Sequence, residues 1–150
     1  FESLPKARRD YKRILQLKQV VEFIEKNYTS PITLQQLSAS VSMSPKYFCR
    51  FFSEMTHQTP MDYLNRQRIE QACYQLSTTD DSITEIAYRN GFNDLSYFIR
   101  TFRKYKGITP GKYRKPGASR PVSCPRRKIH QNTALIIMPS FIPGTTNVRE

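Results

Sequence analysis

Two short stripes of side chains are equipped to do chemistry. The first is Lys46, Cys49, Arg50 and Ser53, spaced i, i+3, i+4, i+7. Residues at that spacing share one face of a helix. The second is Leu95, Ser96, Ile99, Arg100 and Arg103, on the equivalent face of a later helix. An arginine fork matches O6 and N7 of guanine, worth about 1–3 kcal/mol of discrimination, and it also matches a phosphate. Apolar Leu95 and Ile99 can meet thymine methyl groups or extend a core. A charged helical stripe is ordinarily just a solvated face. What sets these two apart is the pattern of elements that carries them. Little else offers a catalytic centre. His57 and His130 have no ligand-type neighbours, and Cys49, Cys73 and Cys124 are scattered with no Cys-x-x-Cys. No paired carboxylates accompany a partnered histidine, so no metal, cofactor or enzymatic activity is expected.

The carrying elements read as helices. Ile14, Leu17, Val20, Val21, Ile24 and Tyr28 recur at helical spacing, which predicts a helix over Asp10–Asn27 behind a basic linker of residues 1–9. Thr33-x-x-Gln36 is a capping box opening a short helix to about Val41. Ser42-Met43 turns the chain, Ser44 caps the next helix, and Pro45 suits its first position. That helix runs to about Met55, with Phe48, Phe51, Phe52 and Met55 directed to the core. Thr59–Thr79 reads as one uninterrupted helix, capped by Thr59 and opened by Pro60. The unit then repeats. Ser82-x-x-Glu85 is a second capping box, Gly91 suits a left-handed turn, and Asp94 caps a helix to about Tyr105. Gly107 ends it, and Thr109-Pro110 starts a final short helix.

The repetition is explicit in the residues. Phe48, Arg50, Phe52, Thr59 and Pro60 recur 50 positions on as Phe98, Arg100, Phe102, Thr109 and Pro110. Leu34, Leu37 and Ser38 recur 49 positions on as Ile83, Ile86 and Ala87, so the second turn holds one extra residue. The chain is a degenerate duplication of one helix-turn-helix unit. Domain boundaries follow: a first unit at about 10–58, a linker helix at 59–79, and a second unit at about 82–115. From Pro116 prolines break all periodicity, and residues 116–150 read as a disordered tail.

Composition narrows the partner. A net charge of +12 and a pI near 9.9 on 150 residues favour an anionic partner. The odd cysteine count without a framework argues for a reducing compartment. No apolar run is long enough to span a bilayer, so no membrane association is expected.

Ile86–Arg114, IAYRNGFNDLSYFIRTFRKYKGITPGKYR, resembles the DNA-binding domain of AraC/XylS-type transcription regulators. Leu34–Leu37, Ser44–Phe52, Thr59-Pro60 and Arg68-Ile69-x-x-Ala72 extend the resemblance, which spans about Ile14–Lys115. It implies an all-α fold of seven helices: a double helix-turn-helix, two homeodomain-like three-helix units sharing a long linker helix. It implies that each second helix lies in a major groove of double-stranded DNA. Carried over, Lys46, Cys49 and Arg50 would contact bases in one half-site, and Leu95, Ser96, Ile99 and Arg100 in the other. Ser44, Ser53, Arg103, Lys104, Lys112 and Arg114 would meet phosphates. A linker helix of about 30 Å is comparable with the roughly 34 Å between successive major-groove faces. The resemblance further implies a bacterial, cytoplasmic protein acting at the nucleoid, an activator with RNA polymerase as a second partner. A sensor domain is expected upstream of Phe1. Ser42 stands where the family often has glycine, and Cys49 is a poor hydrogen-bonding reader.

Two other readings use the same features. An adaptor for an acidic protein would use the same basic face. A DNA-repair-linked regulator lacking its catalytic domain would use the same platform. RNA is disfavoured, because the aromatics fall at core spacing and not on a stacking surface.

Overall fold

The computed structural model describes residues 3–114, all of whose regular elements are helices. There are seven among them: α1 Ser3–Asn27, α2 Leu34–Ser40, α3 Pro45–Thr56, α4 Pro60–Thr78, α5 Ile83–Arg89, α6 Leu95–Lys106 and α7 Pro110–Arg114. The expected tail at 116–150 lies outside the described residues.

The largest departure from expectation is at the start. Residues 3–9 are not a linker, because α1 is already helical from Ser3. Apolar spacing missed this stretch because no residue from Leu4 to Gln16 is buried. Propensity explains it instead. Lys6, Ala7, Arg8 and Arg9 are good helix formers, and Pro5 falls in the first turn, where no intrahelical donor is lost.

The described chain divides into two compact units. The first comprises residues 3–26 and 32–60, the second 27–31 and 61–114. Beyond Pro60, α4 belongs to the second unit.

In the first unit, Leu17, Val20, Val21 and Ile24 of α1 are buried, as are Leu37, Phe48, Phe51 and Phe52. Arg13 binds Glu54 at 2.7 Å and lies over the Phe51 ring, and Gln19 donates to the Ser40 carbonyl at 2.6 Å. α2 opens with the expected capping box, Thr33 with Gln36. The Ser44 hydroxyl accepts from the Tyr47 N–H to start α3.

The second unit is built on a continuous cluster. Ile69, Ala72, Cys73 and Leu76 of α4 meet Ile86 and Ala87 of α5, Phe98 and Phe102 of α6, and Phe92 and Tyr113. Its rings run in series: Phe92 to Phe98 at 5.0 Å, Phe98 to Phe102 at 5.8 Å, Phe102 to Tyr113 at 5.5 Å, all edge-on. Such edge contacts add to the burial of each ring. Ser82 with Glu85 forms the second capping box, and Asp94 caps α6. Each such cap is worth about 1 kcal/mol.

Both turns have the same backbone. Ser42 N–H donates to Ala39 O and Met43 N–H to Ser38 O; Gly91 N–H donates to Tyr88 O and Phe92 N–H to Ala87 O. This is the paired bonding of a Schellman motif, which needs one left-handed residue. Ser42 (φ 55°) fills that position in the first unit and Gly91 (φ 88°) in the second. The chain reaches Ser44 two residues after Ser42, but reaches Asp94 three after Gly91. That is the extra residue read from the repeat offsets.

Candidate nucleic-acid interface

α3 and α6 are each 12 residues long, and each divides into a buried aromatic side and an exposed polar side. On α3, Phe48, Phe51 and Phe52 are buried, Lys46 and Arg50 are exposed, and Cys49 and Ser53 are half-buried between them. On α6, Phe98, Thr101 and Phe102 are buried, while Ser96, Arg100, Arg103 and Lys104 are exposed. The two stripes read from the sequence are thus both displayed, each by its own unit.

The remaining site residues are placed less uniformly. Leu95 and Ile99 are half-buried and pack against the second unit's core, so each presents only part of its surface outward. Ser53 donates to the Gln58 carbonyl at 3.4 Å. Ser44 is exposed, and its capping role uses its oxygen as an acceptor. Lys104 reaches Asp62 at 3.2 Å and lies over the Tyr105 ring, although it stays exposed. Lys112 is exposed, whereas Arg114 is half-buried with Nε and one terminal nitrogen enclosed and unbonded. Among the phosphate candidates, Ser44, Arg103, Lys104 and Lys112 are exposed, and Ser53 and Arg114 are half-buried.

Four polar residues of α4 make tertiary contacts that the sequence reading did not assign, three of them to α6. Asp62 accepts from Lys104 and from the Tyr105 hydroxyl, both at 3.2 Å. Burial, reinforced by Asp62, pushes the Tyr105 phenol up to about 12. One turn along α4, Asn65 donates to the Tyr97 hydroxyl at 2.9 Å. Glu70 takes Lys106 at 2.7 Å. Arg68, only 7% exposed, donates to the Tyr28 carbonyl at 2.7 Å and the Ser30 carbonyl at 2.8 Å, with its guanidinium over the Phe92 ring. Burial lowers its pKa, yet an arginine keeps its charge. The signal for Arg68 was present as a cation inside an otherwise apolar helical stripe. Its partners lie too far away in sequence to be read.

Two tyrosines were also missed. Tyr47 and Tyr97 occupy equivalent positions at the starts of α3 and α6, and they remain 53% and 43% exposed. Aromatic spacing had drawn attention only to the core side of each helix.

A family model for a helix-turn-helix domain matches residues 37–116. The chain belongs to the AraC-type helix-turn-helix family. Among its relatives is the uncharacterised helix-turn-helix-type transcriptional regulator YdeC of Bacillus subtilis, 33% identical over 99 residues. That match takes in 66% of this chain and 34% of YdeC. The corresponding Escherichia coli regulator YdiP is 28% identical over 116 residues, which is 77% of this chain and 38% of YdiP. The AraC-type chain thus spans little more than a third of either relative. Among solved structures, the C-terminal domain of the response regulator yesN from Fusobacterium nucleatum is 37% identical, with a TM-score of 0.63, covering 65% of this chain and 96% of that one. The DNA-binding domain of AdpA, solved in complex with a target DNA, is 33% identical with a TM-score of 0.63, covering 65% and 88%. No helix among the described residues is long and apolar enough to cross a membrane.

Proposed function

We propose that this chain is the DNA-reading part of a bacterial transcription regulator, with α3 and α6 each entering a major groove at one of two half-sites. The observation that carries this is the duplicated display: two helices of equal length, each with an aromatic core face and an exposed arginine at the equivalent position, Arg50 and Arg100. Family membership and the likeness to a domain solved on its target DNA support it. Lys46, Cys49 and Arg50 would contact bases in one half-site, and Leu95, Ser96, Ile99 and Arg100 in the other. Arginine carries the hydrogen-bonded part of the reading. Ser44, Ser53, Arg103 and Lys112 would meet phosphates, with smaller shares for Lys104 and Arg114. The net charge of +12 supplies the sequence-independent attraction. Within a longer protein, a sensor domain would set when this part binds. RNA polymerase would be the second partner, and the cytoplasm the place of action.

Selection from random duplexes tests this, run with the wild type, Arg50→Ala and Arg100→Ala. The wild type is expected to enrich a bipartite motif, and each variant to lose preference in a different half. Binding that is tight at low salt but enriches no motif would reduce the basic faces to an electrostatic anchor and overturn the reading.

A further inference from the structure

Arg100 does not stand alone on α6. Its helical neighbours on the same face are Tyr97, three residues before it, and Lys104, four after it. Both are tied to α4: Tyr97 accepts from Asn65 at 2.9 Å, and Lys104 binds Asp62 at 3.2 Å. Tyr97 and Arg100 together border two open hollows, one running to Asp62 and Asn65, the other to Arg68 and Gly91. Tyr97 lines both hollows, its ring 6.0 Å from that of Phe92.

Asp62 is the one carboxylate lining the first hollow, and an arginine beside a free carboxylate would fold onto it. Here its Oδ1 already takes both Lys104 and the Tyr105 hydroxyl. We infer that the Asn65–Tyr97 hydrogen bond is a latch that positions Arg100. It fixes the tyrosine ring beside Arg100, and so limits the directions in which the arginine stalk can leave α6. Asn65 and Tyr97 are thus positioning residues for base reading, acting through Arg100. The inference rests on the proposed base contact of Arg100. Holding a long side chain in its bound geometry is where such a latch adds discrimination.

The test uses the duplex that the chain itself selects, with single-base changes in either half-site. Tyr97→Phe removes only the hydroxyl, and Asn65→Leu removes the donor. Tyr47→Phe makes the same chemical change at the equivalent place on α3. Thermal melting confirms that each variant folds. Tyr97→Phe and Asn65→Leu should each lower preference in the second half-site by about threefold to tenfold, the weight of one hydrogen bond. The first half-site should be unaffected, and the effect should vanish when Arg100→Ala is already present. Tyr47→Phe should leave the second half-site unchanged. If Tyr97→Phe weakens all duplexes equally and preference stays, the hydroxyl is a phosphate contact or a purely structural group, and the latch is overturned. If Arg100→Ala itself leaves preference intact, the base-reading assignment fails and the latch falls with it. If Arg100→Ala abolishes preference while the other two variants do not alter it, only the latch fails.

Discussion

The two helix-turn-helix units adopt one backbone with different chemistry. The second places glycine at both left-handed positions, Gly91 (φ 88°) in the turn and Gly107 (φ 78°) at the end of α6. The first uses Ser42 (φ 55°) and His57 (φ 60°) at the equivalent places. A side chain in that region costs about 1–2 kcal/mol relative to a right-handed one. The second unit also ties α6 to α4 through Asp62, Asn65 and Glu70. The turn geometry does not itself demand glycine, since Ser42 holds it in the first unit. Glycine becomes obligatory where something presses against the turn, and at Gly91 something does. A Cβ there would sit 2.6 Å from the Tyr28 carbonyl oxygen and 2.9 Å from Arg68 Nε.

Gly91→Ala is therefore the most damaging test of the comparison. It adds left-handed strain to a clash with backbone, and it displaces Arg68 from its carbonyls. The expected loss is about 3–5 kcal/mol in chemical denaturation. A loss under about 1 kcal/mol would show that the turn relaxes freely. Arg68→Met comes next. It deserts two carbonyls, Tyr28 and Ser30, but also removes a buried charge, and the two effects partly offset. We expect a loss of about 2–3 kcal/mol by the same measurement.

Smaller changes run the other way. Ser42→Gly should stabilise the first unit by about 0.5–1 kcal/mol, since it relieves the same strain that Gly91 avoids. His57→Gly should gain less, because histidine tolerates the left-handed region better than most residues. At Gly107 nothing lies within 4 Å of an added Cβ, so Gly107→Ala should cost only the backbone term, about 1 kcal/mol. If Gly107→Ala proved as costly as Gly91→Ala, contact with the turn would not be what separates the two glycines.

What the sequence displayed and what it hid divide along sequence distance. Both capping boxes, the Ser44 and Asp94 caps and the turn at Gly91 were legible, since each is decided within about five residues. The division of α3 and α6 into a buried and an exposed side was legible because Phe48, Phe52, Phe98 and Phe102 repeat at helical spacing. The start of α1 was hidden because nothing from Leu4 to Gln16 is buried, so it left no apolar rhythm. Arg68 was hidden because its partners lie 40 and 38 residues away, and Asp62 because Lys104 lies 42 away. By position alone Asp62 is a carboxylate in the first turn of α4, where it suits the helix N-terminus. Its grip on α6 is tertiary.

The finest difference between the units lies in their capping boxes, an amide at Gln36 against a carboxylate at Glu85. In the first, the Thr33 N–H and hydroxyl donate at 2.9 Å and 3.2 Å to the neutral amide oxygen of Gln36. In the second, the Ser82 N–H and hydroxyl donate at 2.9 Å and 2.8 Å to the Glu85 carboxylate. Those bonds, the backbone one first, hold the Glu85 carboxyl below its ordinary value of 4.5, against opposing contributions from slight desolvation and Asp81 and with help from Arg89. A carboxyl whose folded pKa is depressed adds stability that is whole above its unfolded pKa and is lost as pH falls through the folded one. The α5 cap should therefore weaken below about pH 4.5, while the α2 cap should not. Asp81, held down chiefly by its hydrogen bond from Arg89, titrates in the same direction and acts at the foot of the same helix. Glu85→Gln separates the two. Amide exchange, corrected for intrinsic rates, should show α5 losing protection relative to α2 between about pH 5 and about pH 3 in the wild type. Glu85→Gln should shrink that difference to the part Asp81 supplies, and Gln36→Glu should confer acid sensitivity on α2. Equal loss in both helices, or no change with Glu85→Gln, would mean that the charge of the box contributes nothing beyond the hydrogen bonds that the neutral amide also makes.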